Sequence, residues 1–120
     1  MDDKSPAKTV WYFPDGYLPD TSDHISHESL CVLNMGPSAA RLELILYFED
    51  RDPVTGFFVT CGSRRSLHIR MDRLKNEGGL AVPECTPYSI HCVSDVPVMC
   101  QYTRVDATKP PYTLMTAMGL

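Results

Sequence analysis

Hydrophobic and polar residues alternate along the stretch RLELILYF, which runs from Arg41 to Phe48. In an extended chain one face of this stretch carries Leu42, Leu44, Leu46 and Phe48. A period of two is typical of a β-strand with one face on a hydrophobic core. The opposite face is only half polar, because Ile45 and Tyr47 share it with Arg41 and Glu43. That face fits an ordinary exposed strand surface and a subunit interface equally well.

The other apolar segments are short, rich in β-branched and aromatic residues, and separated by ten prolines and seven glycines. This pattern favours strands and leaves little room for long helices. The predicted strands are Thr9–Phe13, Ser29–Asn34, Arg41–Phe48, Phe57–Cys61, Ser66–Arg70, Tyr88–Ser94, Val98–Asp106 and Tyr112–Ala117. Turns are predicted at residues 34–37, 50–53 and 94–97, and one helical turn at Met71–Asn76, before Gly78 and Gly79.

About eight short antiparallel strands at this spacing predict an all-β chain with a β-sandwich or jelly-roll-like architecture. A chain of 120 residues supports one hydrophobic core, so we expect a single domain over residues 9–120. Residues 1–8 are polar and are expected to form a flexible N-terminus.

Charge and cysteine content narrow the function classes. The net charge of -4 and the pI of about 5.4 argue against DNA as a partner, although symmetry-repeated local patches leave that class open. The N-terminus has no secretory pattern and no apolar run is long enough to span a bilayer, which predicts a soluble, cytoplasmic protein. Five cysteines without a C-x-x-C pair predict free thiols, with Cys31 and Cys100 as small buried hydrophobic residues.

The first cluster of polar side chains is RRSLHIR, from Arg64 to Arg70. In a strand Leu67 and Ile69 point to one face, and the opposite face carries Arg64, Ser66, His68 and Arg70. A cationic face of this kind fits a solvated surface or a site for carboxylate, phosphate or polyol groups.

The second cluster is CQYTRVD, from Cys100 to Asp106. Arg104 and Asp106 share a face with Cys100 and Tyr102, while Gln101 and Thr103 lie opposite. An apolar face that ends in these two charges predicts either an internal ion pair or a ligand contact.

The third cluster is H-x-x-H-E, formed by His24, His27 and Glu28. Its spacing is not that of a zinc protease, so no metal and no cofactor are expected. Strand alternation puts His27 and Glu28 on opposite faces and groups Glu28 with Asn34. Because no nucleophile or phosphate-loop motif occurs either, we do not expect an enzyme.

The order of these motifs resembles the sensory rhodopsin transducer family. The matching pieces are Trp11 with Gly16 and Tyr17, ISHESLCVLN at 25–34, YFED at 47–50, RRSLHIRMDRL at 64–74 and VPVMCQYTRVD at 96–106. The resemblance covers about residues 9–117. It implies a small β-sandwich that assembles as a homotetramer and either binds a small molecule or relays a signal from a membrane photoreceptor.

The resemblance also implies a set of site residues: His27, Glu28, Asn34, Arg65, His68, Arg70, Gln101, Arg104 and Asp106. We expect these side chains to hold a small polar ligand, such as a sugar or related metabolite, with Trp11 stacking on it. The leading hypothesis is therefore a non-catalytic binding and signalling domain. The alternative is a protein-interaction transducer that couples a membrane receptor to a regulator or DNA.

Overall fold

The computed structural model describes residues 5–20, 26–106 and 113–118, without the side chains of residue 106 and of residues 113–118. The described residues form seven strands and one 3-10 helix. The strands are β1 Lys8–Tyr17, β2 His27–Asn34, β3 Ala40–Phe48, β4 Val54–Cys61, β5 Arg65–Arg70, β6 Pro87–Asp106 and β7 Thr113–Met118, and the 3-10 helix is Met71–Arg73. Residues 1–4, His24 and the side chain of Asp106 lie outside this description.

Strand β6 organises the sheet, because it has twenty residues and pairs with four other strands. Its first half pairs with β1 and β3, and its second half pairs with β2 and β7. Strand β4 extends the sheet beside β3, and β5 extends it beside β2. All these pairings are antiparallel. Together they join the seven strands into one curled sheet. The sandwich or jelly-roll arrangement itself stays a prediction.

The strand count corrects the sequence prediction, which had split β6 in two with a turn at residues 94–97. The chain stays extended there, and this is where β6 changes partners. Its pairing with β3 ends at Ser94, and its pairing with β2 begins at Met99. Pro97 lacks a backbone donor and lies between these two ladders. A proline that marks a change of ladder was therefore misread as a turn.

The remaining elements follow the predicted pattern, and most of them are longer. Strand β1 continues past Phe13 to Tyr17, with an irregularity in its pairing before Gly16. The predicted helical turn is confirmed in part, as the 3-10 helix ends at Arg73 rather than at Asn76. The alternation of β3 is confirmed, since Leu42, Leu44 and Leu46 are buried.

Both halves of the sheet contribute to one hydrophobic core. Leu30 and Val32 of β2 belong to the same cluster as the leucines of β3, and β6 supplies residues from both of its halves. The core thus lies on the concave side of the curled sheet. Each half of the sheet also has an outer face, which points away from the core. Among the described residues, no helix is long and apolar enough to cross a membrane.

Candidate functional site

Glu28 is the centre of a buried polar network, and its side chain has 0% exposure. Both carboxylate oxygens accept hydrogen bonds from the backbone N–H of Tyr17, at 3.0 and 3.1 Å. The hydroxyl groups of Tyr88 and Tyr102 also donate to Oε1, the former at 3.0 Å. Arg104 forms an ion pair with Oε2 through its Nε. A carboxylate removed from water is thus compensated by several donors and one cation.

Strand register explains why these groups meet. Glu28 lies opposite Arg104, and Leu30 lies opposite Tyr102, in the pairing of β2 with β6. Tyr88 reaches the same carboxylate because its ring packs directly against Gly16, where a Cβ atom would come within 2.3 Å of the ring. Glycine at this position therefore admits the tyrosine.

The charged end of the network reaches the surface through Arg104. Its Nη2 donates to the backbone carbonyl of Asp15 at 3.1 Å and lies 3.3 Å from the exposed Asp15 carboxylate. The sequence predicted an internal ion pair between Arg104 and Asp106 as one of two alternatives, and the buried carboxylate that Arg104 contacts in the structure is that of Glu28. The side chain of Asp106, which the sequence also placed on this face, is outside the described part of the chain.

The network holds its hydroxyl groups protonated. Burial raises the pKa of Tyr88 and of Tyr102 well above the ordinary value, and the negative charge of Glu28 adds to both shifts. For Arg104 burial lowers the pKa, but the bond to Glu28 outweighs this and the net shift is upward. Among the described residues no buried side-chain nitrogen or oxygen lacks a hydrogen-bond partner. This internally satisfied arrangement fits a brace between strands.

Asn34, at the other end of β2, is also fully buried. Its Nδ2 donates to the carbonyl oxygens of Ser38, Cys61 and Gly62 at 2.9, 3.2 and 3.1 Å. Its Oδ1 accepts from the N–H of Gly36 at 3.0 Å. Asn34 therefore ties the β2–β3 turn to the β4–β5 turn, as a brace of those turns.

Trp11 is a core residue with 2% exposure, and its Nε1 donates to the carbonyl oxygens of Val98 and Lys8 at 2.9 and 3.2 Å. The indole is thus enclosed, with the Lys8 ammonium 4.8 Å from its centroid. Trp11 is thus enclosed in the core, and its ring does not offer the exposed surface on which a ligand was predicted to stack.

Two further arginines are engaged by neighbouring groups. Arg65 is exposed, and its guanidinium donates to the carbonyl of Arg64 at 3.1 Å. Arg70 forms a double hydrogen bond with Asp72, at 2.9 and 2.7 Å. Burial raises the pKa of Asp72, but the contacts with Arg70 outweigh it and the net shift is downward, with a smaller contribution from the nearby His27.

The outer face of β5, β2 and the second half of β6 carries a row of thiol, imidazole and amide side chains. Cys31 of β2 lies opposite His68 of β5 and opposite Gln101 of β6, so the three side chains form one row. This row lies in a groove of about 280 Å³, which we call the outer groove. Its lining residues are Cys31, Val32, Leu33, Ser66, His68, Met99, Cys100 and Gln101.

Hydrogen-bonding capacity distinguishes the outer groove from the Glu28 network. Ser66, His68 and Gln101 are exposed, and their side chains form no hydrogen bond with any described residue. A mainly apolar groove with a few free polar groups is the usual form of a small-molecule site.

The structure thus separates the sequence-predicted residues instead of bringing them into one pocket. Glu28 and Arg104 meet inside, Asn34 and Trp11 lie elsewhere in the core, and His68 and Gln101 share the outer groove. Half-buried His27 also lies on β2, but it is not among the residues that line this groove.

Sequence reasoning missed the two tyrosines of the network and the presence of Cys31 in the outer groove. Alternation had placed Tyr102 beside Arg104, but only the register of β2 on β6 shows that both reach Glu28.

The described residues contain no group of three or more His, Cys, Asp or Glu side chains that could hold a metal ion.

Comparison with known proteins gives a consistent result. A family model described as Anabaena sensory rhodopsin transducer matches residues 7–120. The crystal structure of Thermotoga maritima 1070 has 42% sequence identity and a TM-score of 0.82, and the match covers 93% of this chain and 92% of that one. For the Anabaena sensory rhodopsin transducer the identity is 32%, the TM-score 0.73, and the coverage 80% and 95%. A search of curated proteins finds no match.

Proposed function

Because this chain belongs to the Anabaena sensory rhodopsin transducer family, we propose that it is a non-catalytic, cytoplasmic signalling domain that binds a small polar metabolite in the outer groove. The metabolite class is a sugar or a related hydroxylated or acidic compound. The observation that carries this proposal is the set of free hydrogen-bonding side chains, Ser66, His68 and Gln101, in one groove.

The chemistry of the groove supports a small ligand. Gln101 offers both a donor and an acceptor, Ser66 offers a hydroxyl, and His68 offers a ring nitrogen of either kind. This combination matches vicinal hydroxyl groups, and a protonated His68 would also accommodate a carboxylate. The volume of about 280 Å³ is just below the usual range of roughly 300–1,000 Å³ for ligand sites, which fits a small ligand.

The proposed roles differ from those assigned from sequence. Arg104 and Glu28 are each other's partners, and Arg70 is held by Asp72. Removing these groups would disturb the fold before it disturbed a ligand. Ligand contact is therefore assigned to His68 and Gln101, together with Ser66.

The test is a melting-temperature screen against a panel of sugars and small carboxylates. A compound that binds only the folded state raises the melting temperature by mass action. We expect Gln101→Ala and His68→Ala to lose the shift, and His91→Ala, a histidine change outside the groove, to keep it. A panel without any shift, or a shift that survives both groove variants, would contradict the proposal.

A second candidate function is a protein-interaction transducer for a membrane receptor. The observation that favours it is the exposed apolar outer face of β1, β3, β4 and the first half of β6. Its exposed members are Tyr12, Tyr47, Phe58 and Val93. Tyr12 stacks on His91 at 5.0 Å between ring centroids, which gives this face an ordered aromatic surface. One structural relative is named a sensory rhodopsin transducer, and a seven-helix receptor is the partner that this name suggests.

Co-purification with a detergent-solubilised sensory rhodopsin tests the second function. Tyr47→Asp should reduce capture, because it places a charge in the apolar face, whereas Leu80→Asp in an exposed loop should not. Equal capture of both variants would count against this face as the receptor surface.

A further inference from the structure

The outer groove contains three metal-binding groups, two of them soft sulfur groups, that the proposed function does not use together. They are the thiol of Cys31, the imidazole of His68 and the thioether of Met99. We propose that these three side chains form a site for a soft monovalent cation, the cuprous ion.

Strand register sets the geometry of the site. Cys31 lies directly opposite His68 across β2 and β5, and in such pairs the Cβ atoms are about 4.5–5.5 Å apart. Met99 lies opposite Leu33 across β2 and β6, which puts it on the diagonal from Cys31. The long side chain of methionine spans that diagonal. Cys31 thus lies between His68 on β5 and, on β6, Gln101 directly opposite and Met99 on the diagonal.

The identity of the ligands determines the metal. Thiolate and thioether groups select cuprous ion, whereas Mg²⁺, Ca²⁺ and Mn²⁺ prefer carboxylate and carbonyl oxygens. Among the residues whose side chains the structure describes, no aspartate or glutamate lines the groove. Zn²⁺ usually takes four nitrogen, sulfur or carboxylate ligands, and methionine is not in that set. Two soft sulfur ligands and an imidazole therefore favour Cu(I).

Binding needs no redox step. The Cys31 thiol releases its proton to solvent, the sulfur donates an electron pair to Cu(I), and the metal keeps its oxidation state. His68 binds through a neutral ring nitrogen, and Met99 through a sulfur lone pair.

The other cysteines are placed differently. Cys61, Cys92 and Cys100 are buried, and of these three Cys100 also lines the groove. A hydrogen bond with Cys92, together with burial, raises the pKa of Cys100 far above its ordinary value, which keeps that thiol protonated. Cys85 is exposed but does not line the groove. Cys85 therefore provides an internal control.

This inference rests on the proposed function in one respect, because both require the outer groove to be open to solvent. The two share His68 and otherwise use different side chains, since the metabolite also contacts Ser66 and Gln101 and the ion also needs Cys31 and Met99. Gln101→Ala should abolish the metabolite shift and preserve Cu(I) binding, and Cys31→Ser should have the opposite effect. Failure of one proposal is thus distinguishable from failure of the other.

The experiment is an anaerobic titration of the full chain with Cu(I), in competition with bathocuproine disulfonate as a chromogenic chelator. We expect one equivalent of Cu(I) to bind to the wild type and to Cys85→Ser. Cys31→Ser should lose this equivalent. His68→Gln and Met99→Leu should each weaken it by at least about 10–100-fold, the loss seen when an outer-shell partner of a metal ligand is mutated, because each removes a ligand itself.

X-ray absorption at the copper edge gives a second readout that a folding defect would not imitate. The wild type should show sulfur and nitrogen neighbours, and Met99→Leu should lose one sulfur. Unchanged Cu(I) affinity in Cys31→Ser, loss of the equivalent in Cys85→Ser, or a preference for Zn²⁺ over Cu(I) would overturn the proposal.

Discussion

At the residue scale the network around Glu28 shows how a buried charge is accommodated. The carboxylate is enclosed and receives donors from Tyr17, Tyr88, Tyr102 and Arg104. The two tyrosine hydroxyls also contact each other at 2.7 Å. Because these groups share partners, removing one side chain changes the hydrogen bonds of the others, so the effects of substitutions should depend strongly on each other.

Glu28→Gln tests the charge while preserving the shape of the side chain. Breaking one side of a buried ion pair costs about 3–5 kcal/mol, because Arg104 loses its buried counter-ion. We expect a loss of this size in urea unfolding, and a change within about 0.5 kcal/mol for Glu49→Gln on the surface. Arg104→Gln should be non-additive with Glu28→Gln in the double variant. Additive losses would show that the two side chains act independently.

Alkaline unfolding tests the two tyrosines. Their pKa values are raised in the folded state by burial and by Glu28, so the unfolded chain ionises first, near the ordinary value of 10.0. The stability due to the neutral hydroxyls is fully present below pH 10 and is lost as the pH rises above it. Each tyrosine adds about 1.4 kcal/mol per pH unit to the slope. Tyr88→Phe should flatten the decline, and an unchanged slope would contradict the assignment.

At the element scale, local patterns and long-range pairing differ in how much the sequence reveals. The alternation of β2 and β3 is a local property, and it predicted correctly that Glu28 shares the buried face with Asn34. The continuity of β6 through Pro97 depends on which strands pair with each half. No local residue pattern encodes that exchange, so one strand was predicted as two. The convergence of Tyr88 and Tyr102 on Glu28 was hidden for the same reason.

Asn34 joins two turns, and its replacement by aspartate tests that link. Asn34→Asp keeps the acceptor for Gly36 but turns a second oxygen towards the carbonyls of Ser38, Cys61 and Gly62. We expect a loss of about 3 kcal/mol or more in unfolding free energy, because three acceptors and a charge are left unpaired. Asn76→Asp is the matched control, since Asn76 donates one bond, to Thr55, and is more exposed. Equal losses in both variants would contradict the special role of Asn34.

At the scale of the whole molecule the curled sheet divides polar chemistry between inside and outside. The concave side encloses Glu28, Asn34 and Trp11, whose side chains find all their partners within the protein. The convex side leaves the outer groove on one half and an aromatic face on the other. The sequence drew attention to these polar residues but could not say which of them share a surface, since that depends on strand register and sheet curvature.

The aromatic face leads to the prediction about assembly. Tyr12 and Tyr47 are 52% and 46% exposed and both contact the ring of His91, so an ordered apolar surface faces solvent in the single chain. Such surfaces commonly mark protein contacts. We therefore expect this face to be buried in the homotetramer that the family resemblance implies. This assembly competes with the second candidate function, because a face buried between subunits is not available to a receptor. Light scattering after size exclusion should give a tetramer for the wild type and a smaller species for Tyr47→Asp.

Leu80→Asp serves as the control in that measurement, because Leu80 is 58% exposed and lies in the loop after the 3-10 helix. It makes the same addition of charge to an exposed apolar side chain, but away from the aromatic face, and should leave the tetramer intact. Far-UV circular dichroism of Tyr47→Asp should keep the wild-type strand signal, because Tyr47 points away from the core. A monomeric wild type, or a tetramer that persists in Tyr47→Asp, would show that this face does not carry the assembly. A loss of strand signal together with dissociation would show that the face stabilises the subunit itself.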